Sequence, residues 1–518
     1  MASININEID ASKYSTILNL SDNIVYVIGC ATSGPSEQPV LCRSYTEFIE
    51  TFGKTAPEGT VKENVMTSWD YAVNLLIEGF PVLFERISGT TSTPNKATAT
   101  VSASVNSSTV NVFGLTAKDA GTRYNGIKVS FSLGTWVAST TAGKCTITVI
   151  DTDGTSVPFD ICDLTVDDTM ATMSAKVISG ISNVTSDLVE IAYLPQSDVE
   201  FDDTAWATDY TLAGGIDITE ADVIDILKTE GSTIFAKLED TDLYDVKFLT
   251  LGGMETKVED DIYGFLVSVA EKRGDCFCIV DAPMLTSEED YPTYFTSIDT
   301  SYATAFAPWI FFSTRVSGSK WASPSFVYLF ELAKSVSTGN PVWLPIAGVN
   351  RGSIPEAIKA EFDIGKITSD KWQDSSNTQF VNPLRKVKDF GYTIWGQKTL
   401  QTASTALRDL NVRITANEIK RKISDVALSL TYEPNALSTW NSFRGEMDTY
   451  LSQLLADGAL YDYKIIVGES ITTDDDIDNN IMRGVVVVRI TRLAEEFNID
   501  FYVANNVATF NEIVSSYS

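Results

Sequence analysis

DVKFLTLGG (245–253), KVEDDIYGFLVSVAEKRG (257–274) and DCFCIVDAP (275–283) decide the fold. An apolar strand, a segment long enough for a crossover helix and a second apolar strand call for parallel pairing with a right-handed connection. In the last stretch Cys276 and Cys278 alternate with Phe277, so both thiols should face one side of a buried strand as core residues. The same grammar stands at the front of the chain. NIVYVIG (23–29) reads as a buried strand. SYTEFIETFG (44–53) reads as a helix with Ser44 or Thr46 as cap and Gly53 as stop. WDYAVNLLIEGF (69–80) is a second helix and PVLFERI (81–87) a second strand, which begins an α/β layer. Further on, PWIFF (308–312) and PVWLPIAGV (341–349) flank another helix, SPSFVYLFELAKSV (323–336).

Composition changes at GTTSTPNKATATVSAS (89–104), after which Thr, Ser, Val and Asp dominate to about residue 214. Within that span KCTITVIDTDGTSVPFDI (144–161) is a strand–turn–strand with Asp153-Gly154 at the bend. The α/β pattern returns with the helix ITEADVIDILK (218–228). Near the end, ITANEIKRKISDVALSLTYEP has Thr415 and Glu418 in capping-box spacing and an apolar stripe of Ile419, Ile423, Val426 and Leu430. A following helix places Trp440, Phe443, Met447, Tyr450 and Leu454 at steps of three and four and stops at Gly458. YKIIVG (463–468), GVVVVRITRL (484–493) and the alternating EFNIDFYVAN (496–505) are strands. The expected class is α/β and α+β multidomain. It has a discontinuous α/β core (23–92 and 215–394), an inserted β-rich domain (93–214), a C-terminal α+β domain (395–495) and terminal arms (1–22 and 496–518).

Composition removes many functions. The net charge of −31 repels phosphate, so nucleic acid is not an expected partner. No run approaches the ~20 apolar residues of a membrane span. The first residues, MASININEID, lack a signal's basic and apolar regions, which places synthesis and folding in cytoplasm. There is no histidine, which excludes Ser-His-Asp and Cys-His nucleophiles and HExxH zinc sites. The six cysteines show no disulfide or metal spacing. GCATSGPS (29–36) has phosphate-loop glycine spacing, but Pro35 stands where the lysine belongs and removes an N–H from the cradle. DDDIDNN (474–480) starts like a calcium loop, but Asn479 replaces the glycine and Val485 the bidentate glutamate, so an exposed acidic loop is expected, with weak divalent-ion binding as the alternative. No catalytic, cofactor-binding or metal-ligating residue is assigned, and no cofactor is expected.

Four stretches in order resemble the contractile phage tail sheath family, which includes sheaths of tailocins and contractile injection systems. They are VYVIGCATSGPSEQPVLCRSYTEFIETFG (25–53), WDYAVNLLIEGFPVLFERI (69–87), PIAGVNRGSI (345–354) with WGQKTL (395–400), and the ending from GALYDYKIIVGES to NIDFYV. They cover roughly 1–90 and 245–505, and the segment 93–214 does not carry the match. The resemblance implies a structural subunit, not an enzyme, that polymerises as stacked hexameric rings around an inner tube. Contraction then drives the tube through a cell envelope without a bound nucleotide. It further implies a virion-tail location after assembly in host cytoplasm, with tail tube, baseplate and tail terminator proteins as partners and no membrane insertion. On that reading 93–214 faces outward, 395–495 is the inner layer, and the two arms link neighbouring copies.

The residues suit such linkage on their own terms. Ordering an isolated fifteen-residue arm costs roughly 15–30 kcal/mol of backbone entropy, which its own side chains cannot offset in water. A neighbour's open sheet edge can. Ile4 and Ile6 at one end, and Phe497, Ile499, Phe501 and Val503 at the other, alternate as donated strands require; the same pattern suits edge strands of their own domain, and it is the resemblance that favours donation. On the helix from Ser438 to Asp457, the face with Arg444, Glu446 and Asp448 is the expected contact with the tube, through weak and breakable polar bonds. The rival readings are an enzyme with a degenerate phosphate loop at 29–36 and another virion protein such as a tail tube or baseplate part.

Overall fold

The computed structural model describes residues 23–36, 38–57, 64–90, 93–105, 108–138, 140–195, 209–256, 261–374 and 380–495. Ile4, Ile6, Phe497, Ile499, Phe501 and Val503, and with them the two arms, lie outside the described residues. The chain divides into two units, Met1–Ser424 and Asp425–Ser518.

The first unit is organised by an eight-stranded sheet in the order Pro39–Cys42, Val82–Arg86, Val25–Gly29, Phe248–Thr250, Phe277–Val280, Ala303–Ala307, Asn382–Val387, Gly391–Ile394. The six inner strands are parallel, and the two outermost pair antiparallel. The stretch VYVIG is buried at every position because helices cover both faces of its sheet. Val25, Val27, Phe84, Phe248, Phe277 and Phe306 share one core with the helices Tyr45–Phe52, Ser68–Ile77 and Pro324–Ser337. Tyr26, Ile28, Leu249, Cys276, Cys278 and Ala305 share the other with Glu220–Ala236 and Ile262–Arg273. The two cysteines therefore do face one side, opposite Phe277.

Local signals set the helix ends. Ser44 accepts from the Glu47 amide, and Gly53, at φ 92°, closes the helix. Thr67 and Asp70 form a reciprocal capping box on Ser68–Ile77. Every residue of that helix from Ser68 to Leu76 is buried, with Tyr71 edge-on to Phe326 at 5.2 Å.

Residues 96–211 form two antiparallel sheets. One has four strands (Ser156–Leu164, Gly143–Ile150, Lys128–Ser132, Asp209–Thr211) and the other three (Val189–Tyr193, Ser108–Ala120, Lys96–Val105). With the helix Met170–Gly180 they close a core of their own around Phe113, Phe131, Ile147 and Met173. The bend at 151–155 is a hairpin turn in which the Asp151 amide donates to the Thr155 carbonyl at 2.8 Å and Gly154 takes φ 89°.

PWIFF supplies the strand Ile310–Thr314, which pairs antiparallel with Gly318–Ala322 and Ala357–Ala360, while Ala303–Ala307 lies between Phe277–Val280 and Asn382–Val387 in the main sheet. Two readings need correction. Thr415 is not a cap, because the helix begins five residues earlier, at Leu410. Its hydroxyl donates back to the Asn411 carbonyl at 2.7 Å, and Glu418 pairs with Lys247 at 2.9 Å. Finally, Asp474–Asp478 is a short helix instead of a loop, capped by Thr473 and Asp476.

Candidate assembly surface

In the second unit the helix Leu437–Ala456 buries Trp440, Phe443, Met447, Leu451 and Leu454, so Leu451 joins the expected stripe and Tyr450 is only half-buried. It lies on a two-stranded antiparallel sheet, Leu460–Val467 with Gly484–Ile490. A Cβ placed on Gly484 would sit 3.7 Å from the Phe443 ring, which identifies the covered face. By alternation from Gly484 that face also carries Val486 and Val488, opposite Ile465 and Tyr463.

The other face carries Ile466 opposite Val485, Lys464 opposite Val487, and Asp462 opposite Arg489. Val485 is 44% exposed and Val487 53%, a large share for strand valines. Tyr461, also 53% exposed, lies under the Arg489 guanidinium at 5.0 Å. Among the described residues no third strand pairs with either member, so two rows of backbone donors and acceptors are left open. The groups presented here are main-chain donors and acceptors with apolar side chains beside them.

The three helix residues singled out in the sequence are all exposed. Arg444 donates to the Val467 carbonyl, and Asp448 accepts from the Tyr463 hydroxyl at 2.8 Å, which raises the Tyr463 pKa. Two of the three therefore brace the hairpin of their own unit, while Glu446 makes no bond among the described residues. Asp476, in the acidic turn between the strands, is occupied by Arg483 at 2.8 Å and by the Thr473 amide. These hold its carboxyl below the usual range. Among the described residues no group of three or more His, Cys, Asp or Glu could hold a metal ion.

The loop at 29–36 is built the opposite way from a phosphate cradle. The guanidinium of the buried Arg86 fills it, donating to the carbonyls of Ala31 at 2.8 Å, Gly34 at 2.7 Å and Ala120 at 2.7 Å. Carbonyls converging on a cation leave no place for an anion. The same side chain ties the main sheet to the base of the β-rich segment, where Asp217 accepts from the Thr122 amide at 2.9 Å. Sequence reading missed Arg86, because an arginine in a strand ordinarily signals the solvent side. It also missed Asp281, fully buried at the end of Phe277–Val280 and accepting from the Ser325 amide (2.8 Å) and hydroxyl. Burial pushes its pKa up to about 6, against the opposing pull of those bonds.

Comparison with known proteins agrees with this geometry. Residues 402–504, which include the hairpin, match the family model for the phage tail sheath C-terminal domain. The chain is 27% identical over 172 residues to the tail sheath protein of Vibrio phage KVP40, covering 33% of this chain and 25% of the relative. It is 22% identical over 326 residues to the tail sheath protein of Enterobacteria phage T4, covering 58% and 48%. It thus spans less than half the length of either. Its fold is like that of the contracted helical sheath of the anti-feeding prophage, with TM-score 0.53, 14% identity and coverage of 96% and 98%.

Proposed function

We propose that this chain, which resembles the contractile tail sheath family in sequence and in fold, is the structural subunit of such a sheath. It polymerises as stacked hexameric rings around an inner tube and shortens to drive that tube through a cell envelope. The observation that carries this reading is the hairpin Leu460–Val467/Gly484–Ile490, with both edges open among the described residues, inside the stretch that matches the sheath C-terminal domain. An open edge accepts a donated strand by main-chain pairing, with alternate side chains entering the acceptor's surface. The arms at 1–22 and 496–518, through Ile4, Ile6, Phe497, Ile499, Phe501 and Val503, are the donors. The segments 23–92 and 215–394 form the core, 93–214 the outward-facing insertion, and 395–495 the inner layer nearest the tube.

Within that layer Glu446 is the best-placed of the three helix residues for a breakable tube contact, since Arg444 and Asp448 are engaged at home. The partners are further copies of the chain, the tube protein, and baseplate and terminator proteins. The location is the virion tail, after assembly in the host cytoplasm, and the role is structural, without catalysis. Deleting residues 2–20 is the test. The truncated chain should remain a folded monomer by circular dichroism and sedimentation, and electron micrographs should show no hollow cylinders. Sheaths of normal appearance from that truncation would refute the arm assignment.

A further inference from the structure

We propose that Cys145 and Cys162 are a redox pair, able to close into a cross-strand disulfide when the chain meets an oxidised small-molecule disulfide. They stand directly opposite each other on the antiparallel strands Gly143–Ile150 and Ser156–Leu164. A bulge puts them there. The register runs evenly from Ser156↔Ile150 to Asp160↔Thr146, and continuing it would set Ile161 against Cys145. Instead it shifts between Asp160 and Cys162. Two residues then oppose one. Opposed residues in a regular antiparallel ladder have Cα atoms about 4.5–5.5 Å apart, inside the ~4.4–6.8 Å that a disulfide spans. The two thiols are near enough to influence each other's ionisation.

No other pair among the six cysteines is so placed. Cys30 and Cys42 belong to cores on opposite faces of the main sheet, and Cys276 and Cys278 sit two apart on one strand. The pair is also asymmetric. Cys145 is fully buried and Cys162 half-buried, so reaction begins at Cys162.

The Cys162 thiolate attacks one sulfur of the small disulfide and expels a thiolate, giving a mixed disulfide. Cys145, deprotonated in turn, attacks the Cys162 sulfur and expels the second. Two protein thiols are oxidised, one small disulfide is reduced to two thiols, and the leaving thiolates take up the two protons. Burial pushes the Cys145 thiol up to about 12 and raises that of Cys162, so closure is slow at neutral pH and quicker in alkali. A reducing compartment keeps the pair open. The inference does not depend on the sheath reading.

The full chain is incubated with oxidised glutathione at about pH 8.5, near the ordinary thiol pKa. It is then quenched in acid, denatured, alkylated and cleaved at aspartate. Asp151, Asp153 and Asp160 lie between the cysteines, so cleavage there separates them unless they are bonded. Two of the six thiols should escape alkylation, with the Cys145 and Cys162 fragments joined until reduced. Cys162→Ser should abolish the joined fragments. Cys145→Ala should leave a stable glutathione adduct on Cys162, which the unaltered chain resolves. Full alkylation of the unaltered chain would overturn the proposal, as would a persistent Cys162 adduct beside an alkylated Cys145.

Discussion

In the eight-stranded sheet helices cover both faces, and short antiparallel strands, Pro39–Cys42 and Gly391–Ile394, finish both ends. The hairpin Leu460–Val467/Gly484–Ile490 has one helix on one face and no further strand on either side among the described residues. The same backbone groups are thus sealed in one region and displayed in the other. A short antiparallel end strand, opened by Pro39, gives another chain little to pair with. A ladder of seven paired positions with exposed valines gives it a great deal. On the proposed function, the difference separates what holds a copy together from what a copy offers to others, and mutations in the two places should behave differently.

The largest effect belongs to the sealed region. Phe84 is fully buried against Phe48 at 5.1 Å and Phe52 at 4.8 Å, so Phe84→Ala should cost about 3–5 kcal/mol in chemical denaturation. Next comes Arg86→Ala, which leaves the Ala31, Gly34 and Ala120 carbonyls without their shared donor. A loss of about 2–3 kcal/mol is expected by the same measurement.

Asp281 sharpens the contrast through pH. Its folded pKa is raised from 3.8 to about 6, so between those values the folded chain keeps a proton that the unfolded chain has released. Stability from this group is therefore complete below about pH 4 and is lost as pH rises through 6. Denaturation at a series of pH values should show that decline, and Asp281→Asn should flatten it.

The smallest change in stability, within about 0.5 kcal/mol, is expected for Val487→Glu on the open face. Assembly into cylinders should nevertheless weaken, as sedimentation would show. A Val487→Glu chain that unfolds as readily as Phe84→Ala would break the comparison.

The sequence revealed elements whose signals are local. The Ser44 and Gly53 caps, the Asp153-Gly154 bend and the alternation of Cys276 with Phe277 depend on neighbours a few residues apart. Placement that depends on distant partners was hidden. ATAFA (303–307) is an inner strand in which Phe306 alone is large, legible only once Cys278 and Asn382 are known to flank it. Thr415 and Glu418 matched a capping pattern, yet the helix had already begun because Leu410 and Ile414 pack into the main core. Of the candidate surface, the two strands were legible in YKIIVG and GVVVVRITRL. That Val485 and Val487 face outward was not, because alternation gives two faces without saying which one a helix covers.

The order of strands in the main sheet also sets a timetable for synthesis. Val25–Gly29 finds one neighbour in Val82–Arg86, but the other, Phe248–Thr250, emerges from the ribosome only after about 160 more residues. At roughly 5–20 residues per second that is a wait of about ten to thirty seconds. During it the segment 96–211, whose described strands form their two sheets among themselves, can complete its own fold. The nascent chain thus carries a finished β-rich body while the sheet that will anchor it is still half made.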